Sequence, residues 1–247
     1  KFSMDYYNIS DSEAYAQTKK KNKEIFYQVQ KIIKKHHGKN TIPNILDVGC
    51  ANGNLINFLE KEFPNSTFTG IDVSQKLISK CKKTDHKIFI TSDYKKFSKL
   101  KKYDVVIGIG LSGYVSNLIT LIQDLLKFVK KDGFLLVEGG VNFNGFDVNV
   151  KFRQNKSKPL KWETGFNSIS SNYLENFLKK NKLKFKYFNW DFPIAIKYNK
   201  NVSKIRNRTF KDENGKFWIF NGLNFITHGP KTNNLNPTSS LMAIYKN

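Results

Sequence analysis

The sequence has little cysteine, almost no arginine and no long apolar run. Its two cysteines, Cys50 and Cys81, are too few for a disulfide framework or a closed zinc site. We therefore expect no metal site and a reducing, cytoplasmic setting. No apolar run reaches the ~20 residues of a membrane-spanning helix, so no membrane span is expected. With 39% apolar and 14% aromatic residues, the 247-residue chain can bury the core of one domain.

Acidic residues are also scarce. The chain has 20 Asp and Glu residues and 42 Lys and Arg residues, which gives a net charge of +22. A nucleic-acid partner is one interpretation of such a charge. The excess is nearly all lysine, in short runs near predicted helix ends and turns, and the helix dipole favours cations at helix C-termini. We therefore expect a solvated lysine surface. Nucleic-acid binding stays the alternative, and the salt dependence of binding would test it.

Short apolar segments alternate with helical ones in the first half of the chain. A capping-box pattern at Ser10–Glu13 and the helical spacing behind it predict an N-terminal helix over 11–37. The next predicted elements are strands over 44–48, 67–72, 87–91, 103–109 and 134–138, and helices with Leu55–Phe63, from Ser74 to about Lys83, and with Leu118–Val129. This alternation indicates βαβ units, a parallel sheet, and ligand binding at the carboxyl ends of the strands.

The alternation stops after residue 138. A polar, aromatic stretch over 139–169 precedes a predicted helix near Ser171–Lys180 and a strand over 183–188. A long irregular segment over 189–237 precedes a last strand over 240–246. Loops of that length in a compact domain are usually functional. We expect a single domain over 1–247, with a helical cap (1–40), a ligand-binding core (41–138), and insertions over 139–169 and 189–237 that face the substrate.

The segment Asp47–Gly53 links the first core strand to its helix. Gly49 allows a sharp turn, Gly53 allows close approach of the backbone to a ligand, and the following helix N-terminus presents free N–H groups. Its D-x-G-x-x-x-G spacing differs from the G-x-G-x-x-G of dinucleotide binders. A nicotinamide-dependent dehydrogenase is therefore the least favoured interpretation. Asp72 closes the second strand about 20 residues further on, where a carboxylate can accept ribose hydroxyls.

Together with Thr91–Tyr94 and Tyr103–Gly110, these motifs resemble class I S-adenosylmethionine (SAM)-dependent methyltransferases over roughly 45–138. The resemblance implies an α/β fold with a Rossmann-like, seven-stranded, mostly parallel sheet and helices on both faces, extended by an N-terminal helix and a C-terminal elaboration. It implies SAM as cofactor. The residues that it assigns to the cofactor are Asp47, Gly49, Cys50, Ala51, Gly53, Asp72, Val73, Ser92, Asp93, Tyr94, Gly108 and Gly110.

Each part of the cofactor has an expected partner under that resemblance. The Gly-rich turn would wrap the methionine portion and Asp72 would bind the ribose. Asp93 would accept a hydrogen bond from the adenine amino group, between walls that include Ile90 and Tyr94. The segment Gly108–Leu111 would lie under the sulfonium.

The acceptor is expected to be a small molecule. Enzymes that methylate DNA amino groups resemble one another in an Asn/Asp-Pro-Pro-Tyr tetrad after the fourth strand, where this chain has Gly110–Gly113. No cysteine follows that strand, which argues against cytosine-C5 chemistry. The arrangement resembles bacterial methyltransferases of surface-polysaccharide gene clusters. That resemblance implies O-methylation of a phosphorylated or sugar-linked molecule in capsule or polysaccharide biosynthesis.

The insertions contain the residue types that such an acceptor would need. Arg153, Arg206 and Arg208 are the only arginines, and their planar forks suit phosphate or carboxylate; solvated surface arginines are the alternative. His228 is the predicted catalytic base for a neutral hydroxyl, whereas an anionic oxygen needs none. An RNA methyltransferase and a catalytically silent SAM-binding protein are the competing functions. The oligomeric state stays open.

Overall fold

The computed structural model of the protein describes residues 22–37, 42–98, 100–142, 147–152, 162–188, 208–211, 217–220, 225–227 and 240–246. Its helices are α1 (Glu24–His37), α2 (Asn54–Glu60), α3 (Gln75–Ile78), α4 (Leu118–Leu126) and α5 (Ser171–Lys180). Its strands are β1 (Asn44–Val48), β2 (Thr67–Asp72), β3 (Lys87–Thr91), β4 (Tyr103–Gly108), β5 (Val129–Gly139), β6 (Val141–Asn142), β7 (Val148–Phe152), β8 (Glu163–Ser170), β9 (Lys184–Phe188), β10 (Arg208–Lys211), β11 (Phe217–Phe220), β12 (Phe225–Thr227) and β13 (Ser240–Tyr245).

Seven of these strands form one sheet in the order β3-β2-β1-β4-β5-β13-β9. Its members run parallel except for β13, which is antiparallel to both of its neighbours. Asp47 of β1 lies beside Gly70 of β2 and Ile107 of β4, so these strands end at the same edge. This sheet confirms the predicted Rossmann-like fold and places the Gly-rich turn at the carboxyl edge.

Helices cover both faces of the sheet, because successive strand residues point to opposite sides. Ile45 packs in the cluster that includes α1 and α2, whereas Leu46 packs in the cluster that includes α4 and α5. In α1 the buried residues recur at helical spacing, and they are Ile25, Phe26, Val29, Ile32 and Ile33. Burying each such side chain contributes about 1.5–3 kcal/mol, which fixes α1 against the core.

Three predicted helix ends need correction, the first being that of the helix predicted through Phe63, which ends at Glu60. The start of the N-terminal helix is not tested. Residues 11–21 of the predicted N-terminal helix lie outside the described residues, and α1 is described from Glu24. The helix capped by Ser74 ends at Ile78 rather than near Lys83, and the Ser79 hydroxyl there donates to the Lys76 carbonyl at 3.1 Å, a local bond that competes with helical ones.

The helix predicted through Val129 ends at Leu126 instead. Val129 is the first residue of β5 and pairs with Tyr103 of β4. The predicted strand over 134–138 is therefore the second part of a longer strand. Pairing with β4 has overridden the helical spacing of the apolar residues.

The two insertions contain strands where no regular structure was predicted. Within 139–169, strands β6, β8 and β7 form a small sheet, and within 189–237, strands β10, β11 and β12 form a second, antiparallel one. Such short strands carry little periodicity of their own. No helix of the described residues is long and apolar enough to cross a bilayer.

Candidate functional site

The Gly-rich turn holds its shape through backbone contacts to the neighbouring strand. The N–H groups of Gly49 and Cys50 both donate to the Ile71 carbonyl, at 2.8 and 3.1 Å, and Gly53 N–H donates to the Cys50 carbonyl at 2.9 Å. Gly49, Ala51 and Gly53 have positive φ angles of 74°, 50° and 75°. This left-handed geometry favours glycine, which explains the glycine spacing of the motif.

Close contacts add a second requirement for glycine in this turn. A Cβ on Gly49 would lie 2.6 Å from Leu111 Cδ2, and a Cβ on Gly53 would lie 2.8 Å from Phe89 Cε1. Leu111 and Phe89 thus already occupy the space that a side chain at either position would need. The turn forms a cradle suited to a ligand that approaches the main chain closely.

Asp72 ties the turn to the end of β2. Its Oδ2 accepts from Ala51 N–H at 2.9 Å and its Oδ1 from Ser74 N–H at 2.8 Å. Burial raises the pKa of the Asp72 carboxyl, while the N–H groups of Ser74, Ala51 and Val73 act to lower it. Each carboxylate oxygen has a second lone pair, so the residue can still accept from a ligand.

Asp47 lies behind the turn and is 4% exposed. Burial and, to a smaller extent, the charge of Asp72 raise the pKa of Asp47, Lys23 lowers it, and the resulting pKa is about 7. Asp72 has backbone N–H donors that favour its ionised form, so Asp47 is the carboxyl of this pair that takes up a proton more readily. The floor of the site is thus poised to gain or lose a proton near neutral pH.

A cleft with about 550 Å³ of empty space, open to solvent, lies in front of these residues. Its lining residues are Val48, Gly49, Ile71, Asp72, Val73, Ser92, Tyr94, Leu111, Tyr114 and Val115. The structure thus brings five of the predicted cofactor residues together on one cleft wall.

Four further predicted cofactor residues lie in or next to the Gly-rich turn. Asp47, Cys50, Ala51 and Gly53 belong to the turn and its strand. Burial, with Asp47 and Asp72, raises the pKa of the Cys50 thiol, which marks a packed cysteine. Burial also raises the pKa of Tyr94 to about 12, so this lining residue is a neutral phenol.

Asp93 is not among the lining residues, although its neighbours Ser92 and Tyr94 are. Its Oδ1 accepts from Lys95 N–H at 2.8 Å, the contact of an Asx-turn. Its predicted contact with adenine stays a prediction.

Leu111, Tyr114 and Val115, in the segment after β4, also line the cleft, and sequence reasoning missed what holds this segment. Gly110 has a φ of 74°, and its N–H donates to Glu138 Oε2 at 2.9 Å. Glu138 stands near the carboxyl end of β5, just as Asp72 ends β2. In the sequence, this role is indicated only by the position of Glu138, which like Asp72 is a carboxylate close to the end of a strand.

The first insertion reaches this same segment. Strand β8 contacts the 3-10 turn Ser112–Tyr114, and Asn149 Nδ2 of β7 donates to the Ser116 carbonyl at 2.8 Å. Of the predicted acceptor-side residues, His228, Arg153 and Arg206 lie outside the described residues. Arg208 begins β10, and its side chain is not described.

Taken together, the site offers the backbone of Gly49 in a tight turn, a buried carboxylate at a strand end, and apolar lining residues. A nucleoside with vicinal hydroxyls and an attached charged chain fits this set of groups, because hydroxyls need an acceptor and a flat base needs apolar walls. The residues around the cleft are therefore chemically suited to bind SAM.

Comparisons with known proteins agree with this geometry. A family model described as a methyltransferase domain matches residues 15–184. A malonyl-(acyl-carrier protein) O-methyltransferase of Priestia megaterium is 34% identical over 95 residues, 37% of this chain and 35% of that protein. The chain thus spans less than two thirds of the length of this and the other curated relatives that it matches.

Two solved structures share the fold at low sequence identity. The plantazolicin methyltransferase BpumL, in complex with a substrate analogue and S-adenosylhomocysteine (SAH), has a TM-score of 0.53 at 18% identity, over 90% of this chain and 84% of its own. The magnesium protoporphyrin IX methyltransferase of Synechocystis PCC 6803, with bound SAH, has a TM-score of 0.54 at 13% identity, over 96% and 94%.

Proposed function

The chain belongs to the class I SAM-dependent methyltransferases, and from that membership we propose that it transfers a methyl group from SAM to an oxygen of a small, anionic molecule. The observation that carries this proposal is the cleft at the carboxyl edge, where the Gly-rich cradle meets the buried Asp72. When bound, SAM supplies a methyl group that its sulfonium makes electrophilic. The protein then has to hold and align the partners and exclude water.

In this proposal the described residues divide the binding of SAM among them. Asp72 accepts the ribose hydroxyls with the lone pairs that Ala51 and Ser74 leave unused. Ser92 and Tyr94 border the adenine, with Asp93 beside them. The turn around Gly49 receives the methionine end. Gly108 and Gly110 leave the methyl group accessible from the side of β4 and β5.

The acceptor would enter between residues 110–117 and the first insertion. The contacts of β7 and β8 with that segment support this path. An anionic oxygen is already nucleophilic, so positioning alone accounts for much of the rate, and His228 is needed only for a neutral hydroxyl. The net charge of +22 and the arginines of the insertions favour an anion. The malonyl relatives are O-methyltransferases, which agrees with oxygen as the acceptor atom.

The first acceptors to assay are therefore phosphate esters and nucleotide sugars, as the polysaccharide-cluster resemblance implies, with carboxylates such as a malonyl thioester as the second set. Purified protein is incubated with methyl-labelled SAM and each acceptor, and methyl esters are detected by mass spectrometry. Transfer to one set and not to the other identifies the acceptor class. SAM binding without transfer to any acceptor would instead support a catalytically silent protein.

Calorimetry tests the cofactor site independently of the acceptor. We expect SAM to bind and NAD not to bind. We expect Gly49→Val to abolish SAM binding, because a β-branched residue at φ 74° is strained and its side chain would enter the cradle beside Leu111. Thermal unfolding of the variant shows whether it is folded. Unchanged SAM affinity in a folded Gly49→Val protein would contradict the placement of the cofactor.

A further inference from the structure

Helix α1 runs in the same direction as α2, and its far end lies at the amino-terminal edge of the sheet. Gln30 Nε2 donates to Glu62 Oε2 at 3.1 Å, and Lys34 forms an ion pair with Glu62, two residues beyond the end of α2. The His36 ring lies 4.5 Å from the ring of Phe134, which pairs with Val105 near the start of β4. The C-terminus of α1 therefore lies on the side opposite the cleft.

The first turn of α1 must then lie near the carboxyl edge, because 14 residues of helix span ~20 Å. Phe26 in that turn packs on Phe58 of α2, with ring centroids 5.8 Å apart. Lys23 directly precedes the helix, is exposed, and its charge acts on the buried Asp47 behind the Gly-rich turn. Two separate observations, the helix direction and this electrostatic contact, place Lys23 at the end of the cleft where the turn lies.

The methionine end of SAM carries an ammonium and a carboxylate, and these need partners of opposite charge. Asp72 and, when it is ionised, Asp47 place negative charge near the Gly-rich turn, which attracts the ammonium and repels a carboxylate. None of the described residues that line the cleft carries a cationic side chain. Lys95 lies at the other end, with its Nζ 5.9 Å from the Tyr94 ring centroid. A cation beside the turn would offset this repulsion.

We infer that Lys23 binds the α-carboxylate of SAM, so that the start of α1 closes the methionine end of the cofactor cleft. This inference rests on the proposed function, because it assumes that SAM occupies the cleft. The ammonium of Lys23 donates to the carboxylate, while Asp72 keeps its bonds to the ribose and its negative charge attracts the cofactor ammonium through space. Residues of the N-terminal helix then belong to the cofactor site, in addition to the motifs of the core.

The test compares ligands that differ only at the methionine end. SAH has the amino and carboxylate groups, whereas 5′-methylthioadenosine has the same nucleoside and thioether without them. By calorimetry, we expect Lys23→Met to weaken the binding of SAM and SAH about tenfold or more, as the loss of one charge-assisted hydrogen bond implies. The affinity for methylthioadenosine should not change. Lys23→Arg should retain most of the affinity. Lys31→Met, on the exposed side of the same helix, is the matched control and should bind all three ligands as the wild type does.

Other outcomes would overturn the inference. If Lys23 only offsets the charge of Asp47, its removal leaves the attraction for the cofactor ammonium intact or stronger, so the affinity for SAH would hold or rise. If Lys23→Met weakens the binding of methylthioadenosine as much as that of SAH, Lys23 maintains the shape of the cleft and does not bind the carboxylate. Thermal unfolding of the ligand-free variant would then show a loss of stability. If the wild type binds neither SAM nor SAH, the proposed function itself fails. If the wild type binds both and Lys23→Met binds them equally well, only the inference about Lys23 fails.

Discussion

Replacing Asp47 with Asn should make the ligand-free protein more stable at neutral and alkaline pH. Burial and the neighbouring charge raise the pKa of Asp47 from its ordinary 3.8 to about 7. The folded state therefore binds a proton more tightly than the unfolded chain, and stability falls as pH rises from about 4 to about 7. The difference between these pKa values corresponds to ~4 kcal/mol, which the folded protein loses in full above pH 7. Asn has no proton to lose and avoids this cost.

Urea unfolding at several pH values measures the effect. The variant should gain stability over the wild type by ~3 kcal/mol more at pH 8 than at pH 5, with an unchanged dependence on urea concentration. Asp85→Asn, on an exposed turn, should show no such trend and is the control. A stability difference between wild type and Asp47→Asn that stays constant across this pH range would refute the assignment of the proton to Asp47.

Two further predictions concern side chains remote from the cleft. Lys87 is 4% exposed and donates to Glu60 at 2.6 Å and to Asn57 at 3.1 Å. Lys87→Met should therefore lower the unfolding free energy by about 3 kcal/mol. A loss below ~1 kcal/mol, or one equal to that of the exposed control Lys83→Met, would show that the Lys87–Glu60 ion pair is dispensable. Burial lowers the pKa of His37 below 6.5, and the neighbouring His36 lowers it further. Below pH 6.5 the unfolded chain therefore binds more protons at His37 than the folded protein does, so the folded protein becomes less stable as pH falls. His37→Phe should therefore lose less stability than the wild type between pH 7.5 and 5.5 in urea unfolding, and an identical loss in both proteins would exclude this role.

The sequence predicted the central sheet because buried parallel strands are short, continuous apolar runs bounded by turn residues. The same reasoning failed at the end of α4, since Val129 continues the helical spacing of Leu125 yet pairs with Tyr103 as the first residue of β5. Spacing along the chain carries no information on which distant strand is available to pair. For the same reason the short strands of the insertions had no detectable signal.

The site was predictable where a motif imposes backbone geometry. Gly49 and Gly53 have the left-handed angles that the turn requires, and Asp72 reaches the turn from the neighbouring strand. The contribution of Glu138 depends on contact with Gly110, which is remote in sequence. That of Lys23 depends on the direction of a helix. Such contacts follow from tertiary packing, and a single sequence does not contain them.

The position of β13 has a consequence for how the protein reaches its folded state. Strand β9 pairs with β13 and with no other strand among the described residues, and β13 is the last described element of the chain. On the ribosome, β9 thus has no place in the sheet until residues 240–245 have emerged, although β1 to β5 can already assemble. Its half-exposed aromatic side chains, including Phe185 and Phe188, stay without a partner strand meanwhile. An unpaired strand of this kind is prone to wrong pairing, so ribosomal pausing before residue 240 would favour aggregation.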